Sequence, residues 1–345
     1  MGLQFKDLVV KHEISLKDLQ GKILAVDSMN MLYQFLTTIR SADGSVLTDK
    51  KGRVTSHLIG LFNRTTSLME QGIKLVFVFD GKPPAIKAKT WEKRSQIKKE
   101  ALLKLKEAED VGDLEEMRKF ASRTAILTRD MIKDAQAVIT ALGLPIVQAP
   151  SEGEAQTAYM VKKKDAYASV SQDYDNLIFN CSVLVRNLSI EGRRKKAGTV
   201  GYHTVNPEII TLQEVLQHLK LDLDQLTILA ILVGTDYNPG GIKGIGPKTA
   251  LKLLQEYDHD FAALFNKVEW EKHYPDLPWQ EVFDTIRKMP VTDDYSLKWK
   301  PYDEKAVFQL LVEEYDFSEE RVRSKLEKLR SSRAAIAQKG LSGFF

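Results

Sequence analysis

Seven acidic residues draw attention by their placement. Asp27 and Asp80 each end a short apolar run, Glu152 and Glu154 flank a single glycine, Asp173 and Asp175 flank a single tyrosine, and Asp236 lies in Gly234-Thr235-Asp236-Tyr237. One Asp at a strand end is ordinarily a turn or cap residue. Seven that converge on strand ends and helix starts demand more, because clustered carboxylates repel one another and are costly to keep ionised without cations. A divalent metal resolves the conflict: Mg²⁺ prefers oxygen ligands and keeps several waters, so a few carboxylates plus a substrate phosphate complete its shell. Two such ions ~4 Å apart can activate a water and stabilise the leaving oxygen of a phosphodiester. The six histidines form no HExxH pattern and the single cysteine excludes a Cys-rich zinc site. The chemistry these residues suit is Mg²⁺- or Mn²⁺-dependent phosphodiester hydrolysis.

The elements that must position them can be read from the same sequence. Lys22-Ile23-Leu24-Ala25-Val26 leads into Asp27, and Leu75-Val76-Phe77-Val78-Phe79 into Asp80. Both read as buried strands of a parallel sheet, apolar on both faces, with helical segments between them. Residues 166–170 are a third candidate strand, leading into Ser171-Gln172-Asp173-Tyr174-Asp175. Residues 130–142 read as an amphipathic helix stopped by Gly143, 145–150 as extended, and Ser151 as the cap of a helix beginning Glu152-Gly153-Glu154. The class is α/β: a mostly parallel central sheet flanked by helices, with its site beyond the carboxyl ends of the strands. From residue 221 onward the pattern is helical to the end, apart from a Pro/Trp-containing loop at 273–301.

With 345 residues, 43% hydrophobic and 28% charged, the chain can bury a large core. It has no run near the ~20 apolar residues of a membrane span. Its start, Met1-Gly2-Leu3-Gln4-Phe5-Lys6, lacks a signal-peptide core. Lone Cys181 fits a reducing interior, so an intracellular, cytoplasmic protein is expected. The net charge of +3 is modest, but its distribution is not: residues 82–106 hold nine Lys/Arg against two acids. Residues 107–116 then hold six acids and no base, and residues 321–339 hold seven bases against one acid. Arg193-Arg194-Lys195-Lys196, between Gly192 and Gly198, reads as a basic hairpin tip. Separate basic surfaces suit a long polyanion touched at several places.

A second motif serves the same ligand. Gly241-Ile242-Lys243-Gly244-Ile245-Gly246-Pro247-Lys248-Thr249-Ala250 follows an apolar helix at Leu223–Val233 and opens another at Pro247. Glycines 244 and 246 permit close backbone approach, and the free N–H groups of the second helix, beside Lys248, can hold a phosphate. Such a helix-hairpin-helix-type turn reads a duplex backbone rather than base sequence.

Val26-Asp27-Ser28-Met29, Phe79-Asp80-Gly81-Lys82-Pro83-Pro84, Ala149-Pro150-Ser151-Glu152-Gly153-Glu154-Ala155-Gln156 and Gly234-Thr235-Asp236-Tyr237 resemble, in order and separation, the signature blocks of the XPG/flap-endonuclease family. The resemblance runs from Met1-Gly2 to Phe345, and the missing long basic tail makes the chain more similar to archaeal members. It implies that all seven acids line a two-metal site, with Asp80 and Asp175 most sensitive and Asp236 more distal. It also implies that Lys87 and Arg94 contact the scissile phosphate, that Tyr33 stacks on a base near the cut, and that Arg40, Arg64, Glu152, Gly234 and Asp236 face DNA. Lys87 and Arg94 lie seven residues apart, two helical turns, so both can point one way. K⁺ at the glycine turn is a further implication, as is a monomer associated with the nucleoid. Two departures are visible: Phe5-Lys6-Asp7 replaces a more usual Gly-Leu, and Ser28 stands where Ala is common.

The expected organisation is an N-terminal nuclease region at 1–102, a helical arch at 87–124 that admits a free 5′ end, and an internal nuclease region at 120–260 containing the turn motif at 223–257. A helical region at 261–337 and a tail at 338–345 follow. Gln338, Leu341, Phe344 and Phe345 match the motif by which partners seat on a sliding clamp, proliferating cell nuclear antigen. Two aromatics on a tail without its own core are a liability unless a partner covers them. The activity implied is structure-specific 5′ endonuclease and 5′–3′ exonuclease action at DNA flaps and nicks, in lagging-strand maturation and long-patch repair. The rivals are another branched-DNA nuclease of the family and a non-catalytic, clamp-recruited junction binder.

Overall fold

The computed structural model describes the chain except residues 1–2, 42–44, 112, 114–115, 117–119, 121–123, 190–192, 196–201 and 343–345. Residues 88–95, 97–98, 109, 193–195, 202–204 and 333–342 are described in backbone only. The apolar runs found in the sequence become the centre of a seven-stranded sheet. Its strands are β1 (His12–Glu13), β2 (Ile23–Asp27), β3 (Lys74–Phe79), β4 (Ile146–Gln148), β5 (Ala168–Val170), β6 (Val183–Arg186) and, after a separate hairpin of β7 (Arg193–Lys195) and β8 (Tyr202–Thr204), β9 (Glu208–Thr211). The order is β1-β9-β6-β5-β2-β3-β4. The five strands from β6 to β4 run parallel, and β9 and β1 are antiparallel at one edge.

Parallel pairing sends five chain ends out at one edge of the sheet, and the register aligns them. Asp27 pairs with Val78, Val26 with Val170, and Phe79 with Gln148. The acids that follow these strands therefore arrive in one row, at the carboxyl edge where open α/β sheets bind ligands. Ile23–Val26 of β2 and Leu75–Phe79 of β3 are apolar without interruption because both faces of the central sheet are covered. The helices involved are α1 (Ser28–Thr38), α2 (Ser56–Glu70), α3 (Ala88–Val111), α4 (Arg129–Ala141) and α5 (Gly153–Lys162). On one face, Leu24, Val26, Phe77 and Phe79 pack with Leu32, Phe35, Leu61 and Ile139 of α1, α2 and α4, and with Leu326 of the C-terminal helix Glu319–Ser342. On the other, Ala25, Val76 and Val78 pack with Ala158 and Val161 of α5.

A helical half holds a second core. Here α6 (Leu212–Leu219), α7 (Leu223–Val233) and α8 (Pro247–Tyr257) are joined by Phe261–Lys267, Trp270–His273 and Trp279–Arg287. The helix Trp279–Arg287 lies inside the stretch expected to be loop. Buried Val282 and Ile286 give it an inner face, and Pro278 starts it. The extended chain after it straps the two halves together: Gln156 exchanges two hydrogen bonds with Thr292 (2.9 and 2.8 Å), and Trp299 Nε1 donates to Leu75 O (2.8 Å).

Other expectations change in detail. The basic run Arg193 to Lys195 forms strand β7 rather than a hairpin tip, because it pairs with Tyr202–Thr204; Lys196 lies outside the described residues. The arch expected at 87–124 contains α3, a 24-residue helix with Leu102 and Leu103 exposed and Ala101 and Ala108 buried, and Phe120 beyond it is buried too. At the other end, Gln338 and Leu341 continue the C-terminal helix instead of leaving it, since the Ala-rich stretch before them favours helix. Their side chains, and Phe344 and Phe345 entirely, lie outside the described residues.

Candidate active site

The seven acids are delivered from the ends of four strands and from the loop after α7. Asp27 is the last residue of β2 and the N-cap of α1, accepting from Asn30 N–H (3.1 Å), while Ser171 Oγ donates to its Oδ2 (3.2 Å). Asp80 follows β3 and accepts from the Gly153 N–H at 2.7 Å. That bond corrects the expected cap of α5. Ser151 Oγ donates instead to Lys82 O (3.0 Å), the N-cap is Glu152, and Asp80 satisfies an N–H of the helix start. The reason is proximity across strands: a Cβ on Gly153 would lie 2.7 Å from Asp80 Oδ1, so only glycine lets the helix start reach this close.

Asp173 and Asp175 sit on the loop after β5, where Asn30 Nδ2 donates to Asp173 Oδ2 (2.9 Å) and Leu3 N–H to Asp175 Oδ1 (2.9 Å). Glu154 lies in the first turn of α5. Asp236 comes from the other half of the molecule, after α7, and reaches Lys87, whose Nζ lies 3.2 Å from Asp236 Oδ2 and 2.7 Å from Glu152 Oε2. The structure thus gathers the seven acids and Lys87 around one cleft. Lys87 is nearly buried there, and although burial alone opposes its charge, the carboxylates of Glu152 and Asp236 raise its pKa above the ordinary lysine value.

The electrostatics of the cleft are unresolved by protein groups alone. Burial, then the charge of Asp80, pushes Asp27 up to about 8. Burial and Asp173 push Asp175 up to about 7, and burial followed by Asp175 and Asp27 holds Glu154 well above its ordinary value. Asp80 opens to solvent, yet crowding by protein on the cleft floor and the charge of Glu152 raise it to about 6. Oxygens of Glu154, Asp173 and Asp175 lie within 4.8 Å of one another. Glu152 Oε1 is buried with no hydrogen-bond partner among the described residues. An orphaned carboxylate oxygen and mutually repelling acids are what a divalent cation relieves, and an all-oxygen donor set fits Mg²⁺ or Mn²⁺.

The remaining candidates are distributed around this cleft. Tyr33, on α1, is 39% exposed rather than packed on the sheet. Arg40 donates from Nε to Thr37 O (3.2 Å) and from Nη2 to Leu36 O (3.3 Å), at the end of α1; Arg64 Nε donates to Leu188 O. Arg94 lies on α3, but its side chain is outside the described residues. In the turn between α7 and α8, Gly244, Gly246 and Lys248 are exposed, with Gly244 at φ +88° and Gly246 as the N-cap of α8. Gly234 underlies the turn, its backbone against Gly241 and Gly240. Sequence reasoning missed Asn30, whose one signal was its position three residues after a capping Asp.

Residues 2–101 match the family model of the XPG N-terminal domain, and residues 143–236 that of the XPG I-region. The chain is 51% identical to flap endonuclease 1 of Pyrococcus abyssi over all of its length and 98% of that protein's. It is 49% identical to flap endonuclease 1 of Pyrococcus horikoshii, over the same shares. Its fold superposes on the solved flap endonuclease-1 from Methanococcus jannaschii with a TM-score of 0.74 and 41% identity, covering 97% of this chain and 99% of that one.

Proposed function

The chain belongs to the XPG family and, within it, to the flap endonucleases, and from this premise we infer that it hydrolyses a phosphodiester of branched DNA in the carboxylate cleft. The observation that carries the reading is the convergence of acids from four strand ends and from the helical half on one cleft with a buried lysine inside it. Asp27, Asp80, Glu152, Glu154, Asp173, Asp175 and Asp236 would hold two Mg²⁺ ions, which Mn²⁺ can replace. When bound, the metal pair supplies an activated water and a cation for the leaving oxygen.

The chain's own residues do the rest. Lys87 stays protonated between Glu152 and Asp236, so its ammonium is a fixed positive charge for a phosphate entering the cleft. Arg94 would add a second from α3, which begins at the residue after the short 3₁₀ turn Ala85–Lys87. The exposed ring of Tyr33 offers a stacking surface for an unpaired base at the junction. Arg40 and Arg64 would contact the DNA backbone, and the exposed N–H groups near Gly244 and Gly246, with Lys248, would hold the duplex, with K⁺ at that turn. α3 forms one side of the arch through which a 5′ single strand would pass. Gln338, Leu341, Phe344 and Phe345 would tether the enzyme to a sliding clamp during replication and repair, and the protein would act as a monomer at the nucleoid.

The test is a cleavage panel on double-flap, nicked, bubble and four-way-junction DNA with Mg²⁺ and with chelator. The expected result is Mg²⁺-dependent incision near the base of the 5′ flap; chelator-resistant cleavage, or preference for bubbles or junctions, would refute the reading. For the tail, F344A with F345A should abolish stimulation by the cognate clamp and leave clamp-free cleavage near wild type. Undiminished clamp binding would place the tether elsewhere.

A further inference from the structure

The loop of residues 171–175 carries Asp173 and Asp175, and its backbone is held from both sides at one residue. On the α1 side, Asn30 Oδ1 accepts from the Gln172 N–H (3.1 Å), and Asn30 Nδ2 donates to Asp173 Oδ2 (2.9 Å). Its own N–H donates to Asp27 Oδ1 (3.1 Å), so this single residue links acids at the ends of β2 and β5. On the opposite side, Arg186, the last residue of β6, donates from Nε to Gln172 O (3.0 Å). Its guanidinium lies 4.1 Å from the Tyr174 ring centroid, and Nη1 donates to the Tyr174 hydroxyl. The same Nη1 lies 3.3 Å from Glu208 Oε2, and Glu208 is itself paired with Lys11 (3.1 Å).

We propose that Asn30 and Arg186 are paired positioning residues that clamp the N–H and C=O of Gln172, and thereby hold Asp173 and Asp175 in a metal-competent arrangement. The proposal rests on the metal-cleft reading above. Its physical basis is the repulsion between the two carboxylates: a loop carrying them without a cation tends to open, and closing it must come from groups outside. Asn30 contributes a neutral amide, which adds donors without adding charge. Arg186 contributes a planar fork that can stack and hydrogen-bond at once, a combination lysine cannot reproduce. Groups that orient metal ligands typically cost roughly ten- to a hundredfold in metal affinity when removed.

The experiment measures Mn²⁺ binding to the DNA-free, full-length protein by calorimetry, alongside the Mg²⁺ dependence of flap cleavage and flap affinity in Ca²⁺. Wild type, Asn30→Ala, Arg186→Ala, Arg186→Lys and the double variant Asn30→Ala/Arg186→Ala are compared, with thermal melts to establish folding. Each single alanine variant should weaken Mn²⁺ binding roughly tenfold and raise the Mg²⁺ needed for half-maximal cleavage in step. Saturating Mg²⁺ should restore most of the rate, and flap affinity should hold. The double variant should lose less than the product of the single losses, because both arms hold one residue. If Arg186→Ala does not fold, Arg186→Lys serves, since it keeps a charge for Glu208 but gives up the fork. Unchanged Mn²⁺ affinity in folded variants, or a loss confined to DNA affinity, would overturn the clamp. A fully multiplicative double loss would overturn the pairing. Failure of the wild-type protein itself to bind Mn²⁺ would remove the metal reading beneath it, a distinguishable result.

Discussion

In the cleft, burial first and neighbouring acids second hold the carboxyl groups of Asp27, Asp80, Glu154 and Asp175 above their ordinary range, and Glu152 Oε1 has no hydrogen-bond partner among the described residues. In the turn of residues 234–246 the polar groups satisfy each other. Asn238 Oδ1 accepts from Thr235 N–H and Oγ1, Asn238 Nδ2 donates to Ile231 O (2.7 Å), and the Tyr274 hydroxyl lies 3.0–3.3 Å from the carbonyls of Asn238, Pro239 and Gly241. Under the proposed function both regions would face a phosphate backbone, one completed by cations and the other preformed. A nuclease built this way would grip its substrate without cutting it, and substitution should separate the two capacities.

The largest separation is expected from Asp80→Ala or Asp175→Ala, which should reduce single-turnover cleavage about a thousandfold or more, about 4 kcal/mol of barrier. Flap binding should be largely retained; near-normal cleavage in Mg²⁺ would break the comparison at its root. Gly241→Ala should do the reverse. Gly241 has φ +56°, and an added Cβ would meet the Leu232 and Val233 backbone, so the turn must shift. A cost of about 1–3 kcal/mol for such strain corresponds to roughly a tenfold or greater loss of duplex affinity. Calorimetry should show Mn²⁺ binding unchanged, and a lost metal site would mean that the two regions are not separable.

Lys87→Ala tests the cation already inside the cleft. Cleavage should slow at least roughly tenfold, about 1.4 kcal/mol, with a smaller effect on flap affinity; a loss in binding alone would reduce Lys87 to an ordinary phosphate contact. The metal-free protein should also reveal the cleft by its pH dependence. Asp80, Asp175 and Asp27, raised to about 6, 7 and 8, keep protons that the unfolded chain has already released. The stability they contribute is fully present below the unfolded carboxylate range and is lost as pH rises through those values. The melting temperature in chelator should therefore fall from about pH 4, where the unfolded carboxylates ionise, to about pH 8, and saturating Mg²⁺ should flatten the fall. Buried His57, pushed down to about 4, opposes the fall only below its ordinary value of 6.5, where it is one group against three. A flat chelator profile would contradict the electrostatic reading.

The smallest effect concerns Ser28, beside Asp27, whose hydroxyl is buried with no partner among the described residues. Ser28→Ala should stabilise the fold by about 1 kcal/mol, since a buried unsatisfied hydroxyl is removed. Thermal melts would show this as a rise of a few degrees, and a drop would mean that the hydroxyl has a role in the cleft.

Much of this organisation is legible in the sequence. The strands at 22–27 and 75–80 were visible because buried parallel strands must be apolar on both faces, and the helix Leu223–Val233 because its apolar run is long. The acids were legible by type and by position at strand ends, and the glycine turn by its spacing, since these are local properties of the chain. The sequence by itself could not show that Asp80 completes the start of α5, that Lys87 lies between Glu152 and Asp236, or that residue 172 is gripped by Asn30 and Arg186. Nor could it show that the segment after Arg287 straps the helical half back onto the sheet. Each of these joins residues distant in the chain, and which partner a buried polar group finds depends on the register of strands and the packing of helices. Local pattern therefore determined which groups could do the chemistry, whereas the tertiary fold decided their partners, because burial leaves a polar atom only the neighbours that packing provides.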